Sequence, residues 1–454
     1  MTIALYVLGV LVVVVGVGAS IALHELGHLI PAKRFGVRCT QYMIGFGPTL
    51  YSRTSGDTEY GVKAIPLGGY VRMIGMFPPR PGDDPDSVRA SSTGRFSQLI
   101  DEARKTSAED VGPQDRDRVF YKLASWRKVV VMLGGPTMNL LIAVVLIGGL
   151  ITIYGSPVPK DSAEVAAVYK CVATTQTAAT VTDCPDPDQQ TPAYRAGLQP
   201  GDVLVSIDGQ PVTSSAEVGR LISPRAGQAT DVVVNRDGSD LRLTVTPITN
   251  TLPVYDESGQ PVLNSSGQPT YHQTGFLGIS SATPTVIERQ PVTAVPGVVW
   301  DYTAATAGVV LKIPQKMVGV AQAAFSGETR DPNGPISVVG VGRIAGEVTS
   351  GAIPGLPQDP ATIAALLVQL IAGLNIALFV FNLIPLLPLD GGHVAGALWE
   401  GLRRQLARLR GRPDPGYVDV AKALPLAYVM SIGLIVMSVL LIYADLVNPV
   451  KLGG

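Results

Sequence analysis

Two histidines and a glutamate within one helical turn, His24-Glu25-Leu26-Gly27-His28, are where this sequence could do chemistry. On a helix, residues i and i+4 lie one above the other, so both imidazoles could serve one ion. Glu25 sits about 100° round the helix, near enough to reach a water held at that ion. Zinc brings the pKa of such a water down to about 7 and polarises a carbonyl at the same time. Glu25 would be the general base, later passing the proton to a leaving amine. The plainer alternative is a pair of buried histidines hydrogen-bonded to their neighbours. Against it stands the setting. The cluster ends an apolar run from Ile3 to Ile30. Ionisable side chains in a membrane helix are costly enough to default to function.

A third donor is offered far along the chain. The run Ala361 to Leu387 reads as a membrane helix, and Pro385 and Pro388 break it just before Asp390. A carboxylate at such a break is a candidate third zinc ligand, with a helix-cap aspartate as the alternative. Basic residues follow both motifs: Lys33, Arg34 and Arg38 after the first, Arg403, Arg404, Arg408, Arg410 and Arg412 after the second. The excess of Lys and Arg on cytosolic loops places both motifs at inner helix ends. The two helices then run parallel, and His24, His28 and Asp390 arrive at similar depth.

The elements that must carry these residues follow from composition. The chain has 454 residues, of which 16% are charged, and its mean hydropathy is positive. Such a chain is not an ordinary soluble protein, and it is long enough for a membrane core plus at least one separate domain. A net charge of −1 gives no sign of a nucleic-acid partner. The expected fold class is a polytopic α-helical membrane protein with four transmembrane helices, membrane-associated β-hairpins and an extracytoplasmic PDZ-like α+β domain. Residues 1–30 form the first helix, expected to be retained because no basic n-region or cleavage site marks it as a signal peptide. Residues 31–125 are a cytosolic loop. Its Gly- and aromatic-rich part, 41–76, forms hairpins that either dip back into the membrane or stay in the cytosol. The second helix is 126–154. It contains Gly134-Gly135-Pro136-Thr137-Met138-Asn139, whose small residues permit close packing and whose Asn139 reads as structural glue. Residues 155–291 are the extracytoplasmic domain, 292–360 an amphipathic segment, 361–392 the third helix with the third-ligand motif, 393–422 a basic cytosolic loop and 423–447 the fourth helix. Within the soluble domain, Pro192 to Val212 resembles the PDZ domains of bacterial envelope proteases, whose open sheet edge can add a peptide strand. Cys171 and Cys184 flank an insertion there, and on an oxidising side they would pair.

Taken together, the motifs resemble one family. His24 to His28, the loop Ile65-Pro66-Leu67-Gly68-Gly69-Tyr70-Val71, Gly135-Pro136 with Asn139, the PDZ-like core, Gly334-Pro335-Ile336-Ser337, and Asn382 through Gly392 are similar to the site-2 protease family of intramembrane zinc metalloproteases. Within it the chain resembles the bacterial regulator-of-sigma-E protease branch in its actinobacterial, single-PDZ form. That resemblance implies Zn2+ held by His24, His28 and Asp390, Glu25 as catalytic base, and Asn382 as a substrate contact near the scissile bond. It implies a plasma-membrane protease with its active site near the cytosolic face. Its substrates would be single-span membrane proteins, such as anti-sigma factors, already trimmed outside by another (site-1) protease. The PDZ-like domain would exclude untrimmed substrates or bind a peptide. The polar insertion 81–120 departs from the pattern and has no assigned role. Two rival readings stand beside this one. A non-catalytic zinc scaffold would capture peptides through the PDZ-like domain. A metal transporter would need ligands staged along a path, where the sequence offers a single cluster.

Overall fold

A computed structural model describes residues 2–78, 111–172, 189–253, 262, 264, 268, 270–326, 330–331, 334–354 and 356–450. Most of the 81–120 insertion therefore lies outside the described residues. The chain divides into two compact units, one of Met1–Tyr154 with Gln290–Gly454 and one of Gly155–Arg289.

The first unit is mainly helical. Its helices are α1 (Thr2–Arg34), α2 (Ser125–Gly149), α3 (Val295–Leu311), α4 (Ile313–Ser326), α5 (Val338–Ser350), α6 (Pro360–Asn382), α7 (Asp390–Leu409) and α8 (Leu424–Val447). Among the described residues, five helical stretches are long and apolar enough to cross a membrane: Thr2–Arg34, Ser125–Tyr154, Val292–Leu311, Pro360–Asn382 and Val420–Val447. The sequence expects an amphipathic segment where α3, α4 and α5 lie, and a basic loop where α7 lies. In α7, Val394, Ala397 and Gly401 recur at helical spacing on the side that packs on α2 and its neighbours, leaving Arg408 exposed while Arg404 folds back onto Glu400 and Tyr417.

Helices this apolar cannot sort themselves by hydrophobicity, so small residues and a few polar contacts fix their packing. Gly27 and Gly134 bring the backbones of α1 and α2 together, leaving no space for a Cβ on either. On another side of α1, Gly16 packs under Ile371, and Asn375 Nδ2 donates to Ser20 Oγ at 2.9 Å. The pairs 16/371 and 20/375 advance together, so α6 runs parallel to α1, whereas α2 runs antiparallel. Near the start of α1, Gly9 meets Ala345 and Thr349 of α5, and Thr349 Oγ1 donates to Leu5 O at 2.8 Å. The Gly334–Ser337 motif is a clip. Ser337 caps α5 by accepting from Gly340 N, and its own N–H donates to Asp445 of α8 at 2.6 Å. Asp445 is also ion-paired with buried Arg330, which holds Pro335 O at 2.7 Å.

Two bent strands, β1 (Cys39–Ser55) and β2 (Thr58–Met73), complete this unit. Residues 41–44 pair with 59–62 on one side and with 69–72 on the other, while 51–55 pairs with 58–62. The result is a four-segment mixed sheet in the order 69–73, 39–44, 58–62, 51–55, in which 39–44 runs parallel to 58–62 and the two outer pairs are antiparallel. Its bend falls at Gly45, whose φ of +92° and approach to Ile65 O exclude a side chain. Segment 69–73 leaves one edge unpaired by strand. Its Gly69 packs on Ile21 and Glu25 of α1, and in the neighbouring segment Tyr42 Oη donates to Ala22 O at 2.8 Å.

The second unit is a sheet in the order β11 (Ile279–Ala282), β4 (Ala163–Val168), β5 (Val203–Ile207), β7 (Thr230–Arg236), β8 (Ser239–Val245), with the short β6 (Gln210–Pro211) beside β5. The ribbons β3–β12 (Ser156–Pro159, Thr285–Glu288) and β9–β10 (Ile248–Pro253, Tyr271–Phe276) flank it. The helix Ser215–Ile222 covers a core of Leu204, Ile207, Val232, Val234 and Val245. Asp202 fastens the loop before β5. Burial pushes its carboxyl pKa up, but hydrogen bonds from Arg236 and the Gln199 amide outweigh that and hold it below the usual range. Cys171 is disulfide-bonded and Cys39 is free and buried; Cys184, the expected partner, lies outside the described residues.

One buried ion pair joins α2 to α7. Lys128 Nζ contacts both oxygens of Glu400 at 3.0 and 2.8 Å, and Glu400 also accepts from Val418 N at 3.1 Å. Removing one partner strands a buried charge. Glu400→Leu should therefore destabilise the protein by about 3–5 kcal/mol, whereas Lys128→Met with Glu400→Leu should recover most of that loss. Thermal unfolding in detergent measures both, and an unchanged midpoint for Glu400→Leu would contradict the role given to this pair.

Candidate metal centre

The three donors come from two helices and meet at one point. His24 and His28 occupy successive turns of α1. Asp390 is the first residue of α7, reached through the turn Leu383–Leu389 that follows α6. That turn makes no side-chain cap: Leu389 is the N-cap residue of α7, and the Asp390 carboxylate is directed to the imidazoles instead. His24 Nε2 lies 3.5 Å from Asp390 Oδ2, His28 Nε2 lies 3.4 Å from the same oxygen, and the two Nε2 atoms are 3.3 Å apart.

These three distances decide whether zinc fits. Tetrahedral ligands bonded at about 2.0–2.1 Å stand roughly 3.3–3.4 Å from one another, and the observed triangle has that size. The donor set, two imidazoles and one carboxylate, is that of a catalytic zinc site with a position left open. Asp390 Oδ2 is buried without a hydrogen-bond partner, although it is the oxygen nearest both imidazoles. Among the described residues this is the group whose donors converge closely enough to hold an ion.

Helix α2 forms the wall behind the imidazoles. His28 Nδ1 donates to Val131 O at 2.8 Å. That bond fixes the tautomer and leaves Nε2 with its lone pair. Gly135 stands against both rings, where a Cβ would collide with His28 Nε2 and His24 Nε2. Asn139, fully buried, lies 3.1 Å from His24 Nδ1 through its amide. Pro136 removes one rung of the helical ladder next to this stripe.

Glu25 and Asn382, the other residues singled out from sequence, are placed differently. Glu25 is buried beside it, and the backbone of Gly69, in the edge segment of the sheet, packs on its Cγ. Its carboxylate makes no hydrogen bond among the described residues. Asn382 ends α6, half-buried, and its side chain likewise has no hydrogen bond among the described residues. His393 lies in the first turn of α7 and makes no hydrogen bond among the described residues. His272 is exposed on β10, in the other unit. Sequence reading took Asn139 as packing glue and assigned nothing to Val131. The glycine pair before Asn139 marked a close approach, but not what is approached.

Comparison with known proteins gives the family. Residues 12–421 match peptidase family M50. The chain is 33% identical to zinc metalloprotease Rip1 of Mycobacterium tuberculosis (strain H37Rv) over 452 residues, covering 99% of each chain. It is 32% identical to Rip1 of Mycolicibacterium smegmatis, covering 98% of each. It is 27% identical to metalloprotease MmpA of Caulobacter vibrioides, over 86% of this chain and 85% of that one. The chain belongs to peptidase family M50, the site-2 proteases. It is a zinc metalloprotease.

The tight fit at Gly135 yields a test. Gly135→Ala should drive a methyl group into the donor triangle and lower bound zinc well below one equivalent per chain. Gly149→Ala, on the same helix with open space around it, should leave zinc unchanged. Metal analysis of the two purified variants checks this, and full zinc in Gly135→Ala would contradict it.

Proposed function

We propose that this protein hydrolyses peptide bonds inside the transmembrane segments of single-span membrane proteins already trimmed on their outer side, with anti-sigma factors as the substrate class. The observation that carries this reading is the triangle of His24, His28 and Asp390, formed where apolar helices pack and beside an unpaired sheet edge. In this reading those three residues hold the zinc, which supplies Lewis acidity for the attacking water and the scissile carbonyl.

The chain's own residues do the rest. Glu25 takes the proton of the attacking water and returns it to the leaving amine. Its carboxylate has no other partner among the described residues, which suits that role. A substrate helix must unwind first, because its backbone is shielded and already hydrogen-bonded. The edge 69–73 can take the unwound segment as an added strand next to Glu25, while 41–44, paired on both sides, cannot. Asn382 donates to the developing oxyanion, a contribution of about 3 kcal/mol by comparison with other such donors.

Four spans, α1, α2, α6 and α8, cross the plasma membrane, with the metal centre near the cytosolic face next to the basic residues. Because α1 and α6 run parallel and α2 antiparallel, the segment between α2 and α6 must start and finish on the outer side. If α3 crossed, α4 or α5 would have to return. Those helices are short: α4 is Ile313–Ser326 and α5 is Val338–Ser350. With a rise of about 1.5 Å per residue, neither can span a hydrocarbon core of about 30 Å. So α3 enters without crossing. Exposed Phe46, Leu50, Tyr51 and Ile65 suit a hairpin that dips into lipid, and exposed Ile432, Ile435, Val436 and Val439 suit a lipid-facing α8. The Gly155–Arg289 unit is the extracytoplasmic PDZ-like domain, gating substrates by size or binding a peptide.

Glu25→Gln separates this enzyme from a zinc scaffold. Co-expressed with tagged single-span proteins, it should retain one zinc, lose cleavage by several orders of magnitude, and hold uncut substrate. Unimpaired cleavage would remove Glu25 from the mechanism, and unchanged cellular function without cleavage would favour the scaffold.

A further inference from the structure

The stripe of α2 facing the metal centre does more than fill space. Val131, Gly135 and Asn139 follow one another at i, i+4 and i+8, one face of the helix. Opposite them, on an antiparallel helix, stand His28 and His24. Val131 meets His28, Asn139 meets His24, and Gly135 clears room for both rings. Each imidazole thus has its own partner at Nδ1. For His28 that partner is a backbone carbonyl, which can only accept.

We propose that Asn139 is a positioning residue, whose side-chain carbonyl accepts the Nδ1 proton of His24 and so keeps the Nε2 lone pair directed at the zinc position. The proposal rests on His24 being a ligand. A neutral imidazole carries one proton. If Nδ1 accepted a hydrogen bond, the proton would sit on Nε2 and no lone pair would remain there for a metal. The two ends of an amide are assigned by their hydrogen bonds rather than by shape. With Nδ2 nearest His24, Oδ1 is buried without a partner; turning the amide over leaves Nδ2 in that place, so either orientation leaves one amide atom bare. The two differ in what they do to His24. Only with Oδ1 toward Nδ1 do both histidines carry a proton on Nδ1 and a lone pair on Nε2. Burial adds rigidity: Asn139 is inaccessible to solvent, so water cannot replace its carbonyl if it is lost.

Outer partners of metal-bound histidines typically govern affinity by about 10–100-fold. Zinc affinity should be measured on the full-length detergent-solubilised protein by competition with a chelator, independently of proteolysis. Asn139→Leu, which keeps the branched shape and removes the acceptor, should weaken zinc binding about 10–100-fold. Asn139→Asp, which keeps an acceptor, should remain within about threefold of wild type or bind more tightly, as carboxylate–histidine–zinc arrangements do. Thr303→Val, which removes a hydroxyl bonded only to its own helix, α3, should leave zinc affinity unchanged. If Asn139→Leu does not fold, Asn139→Asp against Asn139→Ala decides: a tenfold or larger advantage for Asp supports the proposal, and equal affinities overturn it. Wild-type affinity in Asn139→Leu, with zinc lost in His24→Ala, overturns the role of Asn139 and leaves the ligand set standing. Full zinc affinity in His24→Ala overturns the ligand set and this proposal with it.

Discussion

The constraint on which the rest of the structure depends is the small triangle of His24, His28 and Asp390. Its edges of 3.3, 3.4 and 3.5 Å leave little tolerance. Two corners are held by a single helix, so their spacing is local and nearly automatic. The third must come from a residue hundreds of positions away, and the rest of the helical unit is arranged to bring it there. Contact between Gly27 and Gly134 sets the depth at which α2 meets α1, and the Asn375–Ser20 bond sets the register of α6 on α1. The turn after Asn382 then delivers Asp390 as the first residue of α7. The Lys128–Glu400 pair ties α7 back to α2, closing the circuit around the site.

Packing of this kind compensates for what a membrane cannot supply. Lipid does not drive helices together, so α1, α2, α5 and α6 use glycine contacts and buried amide or hydroxyl bonds. The same contacts do chemical work at the site. Where a glycine lets α2 close on α1, the next turn of α2 reaches the imidazoles. Close packing and tautomer control are therefore one arrangement, and a substitution that loosens the first disturbs the second.

Much of the site was legible in the sequence because its signals are local. The His24/His28 spacing needs only helical periodicity. Asp390 was marked by the prolines before it, and parallel helices were implied by basic residues after both motifs. What sequence reading missed depends on distant partners. Asn139 and Val131 sit at a spacing that any packing face shares, and nothing local says that imidazoles lie opposite. The basic stretch after Asp390 looked like a loop because arginine dominates it, although its small and apolar residues recur at helical spacing in α7. The sheet of 39–73 has strands that bend at glycines with positive φ, so one strand pairs with two neighbours. No alternation pattern reports that. The clip of Arg330 and Asp445 joins positions with no common motif.

The most direct test of this account is X-ray absorption at the zinc edge of the purified protein. The account predicts one zinc per chain with two imidazole nitrogens and oxygen ligands at roughly 2.0–2.2 Å, and no sulfur. A zinc–sulfur distance of about 2.3 Å, or a shell without two imidazoles, would contradict it.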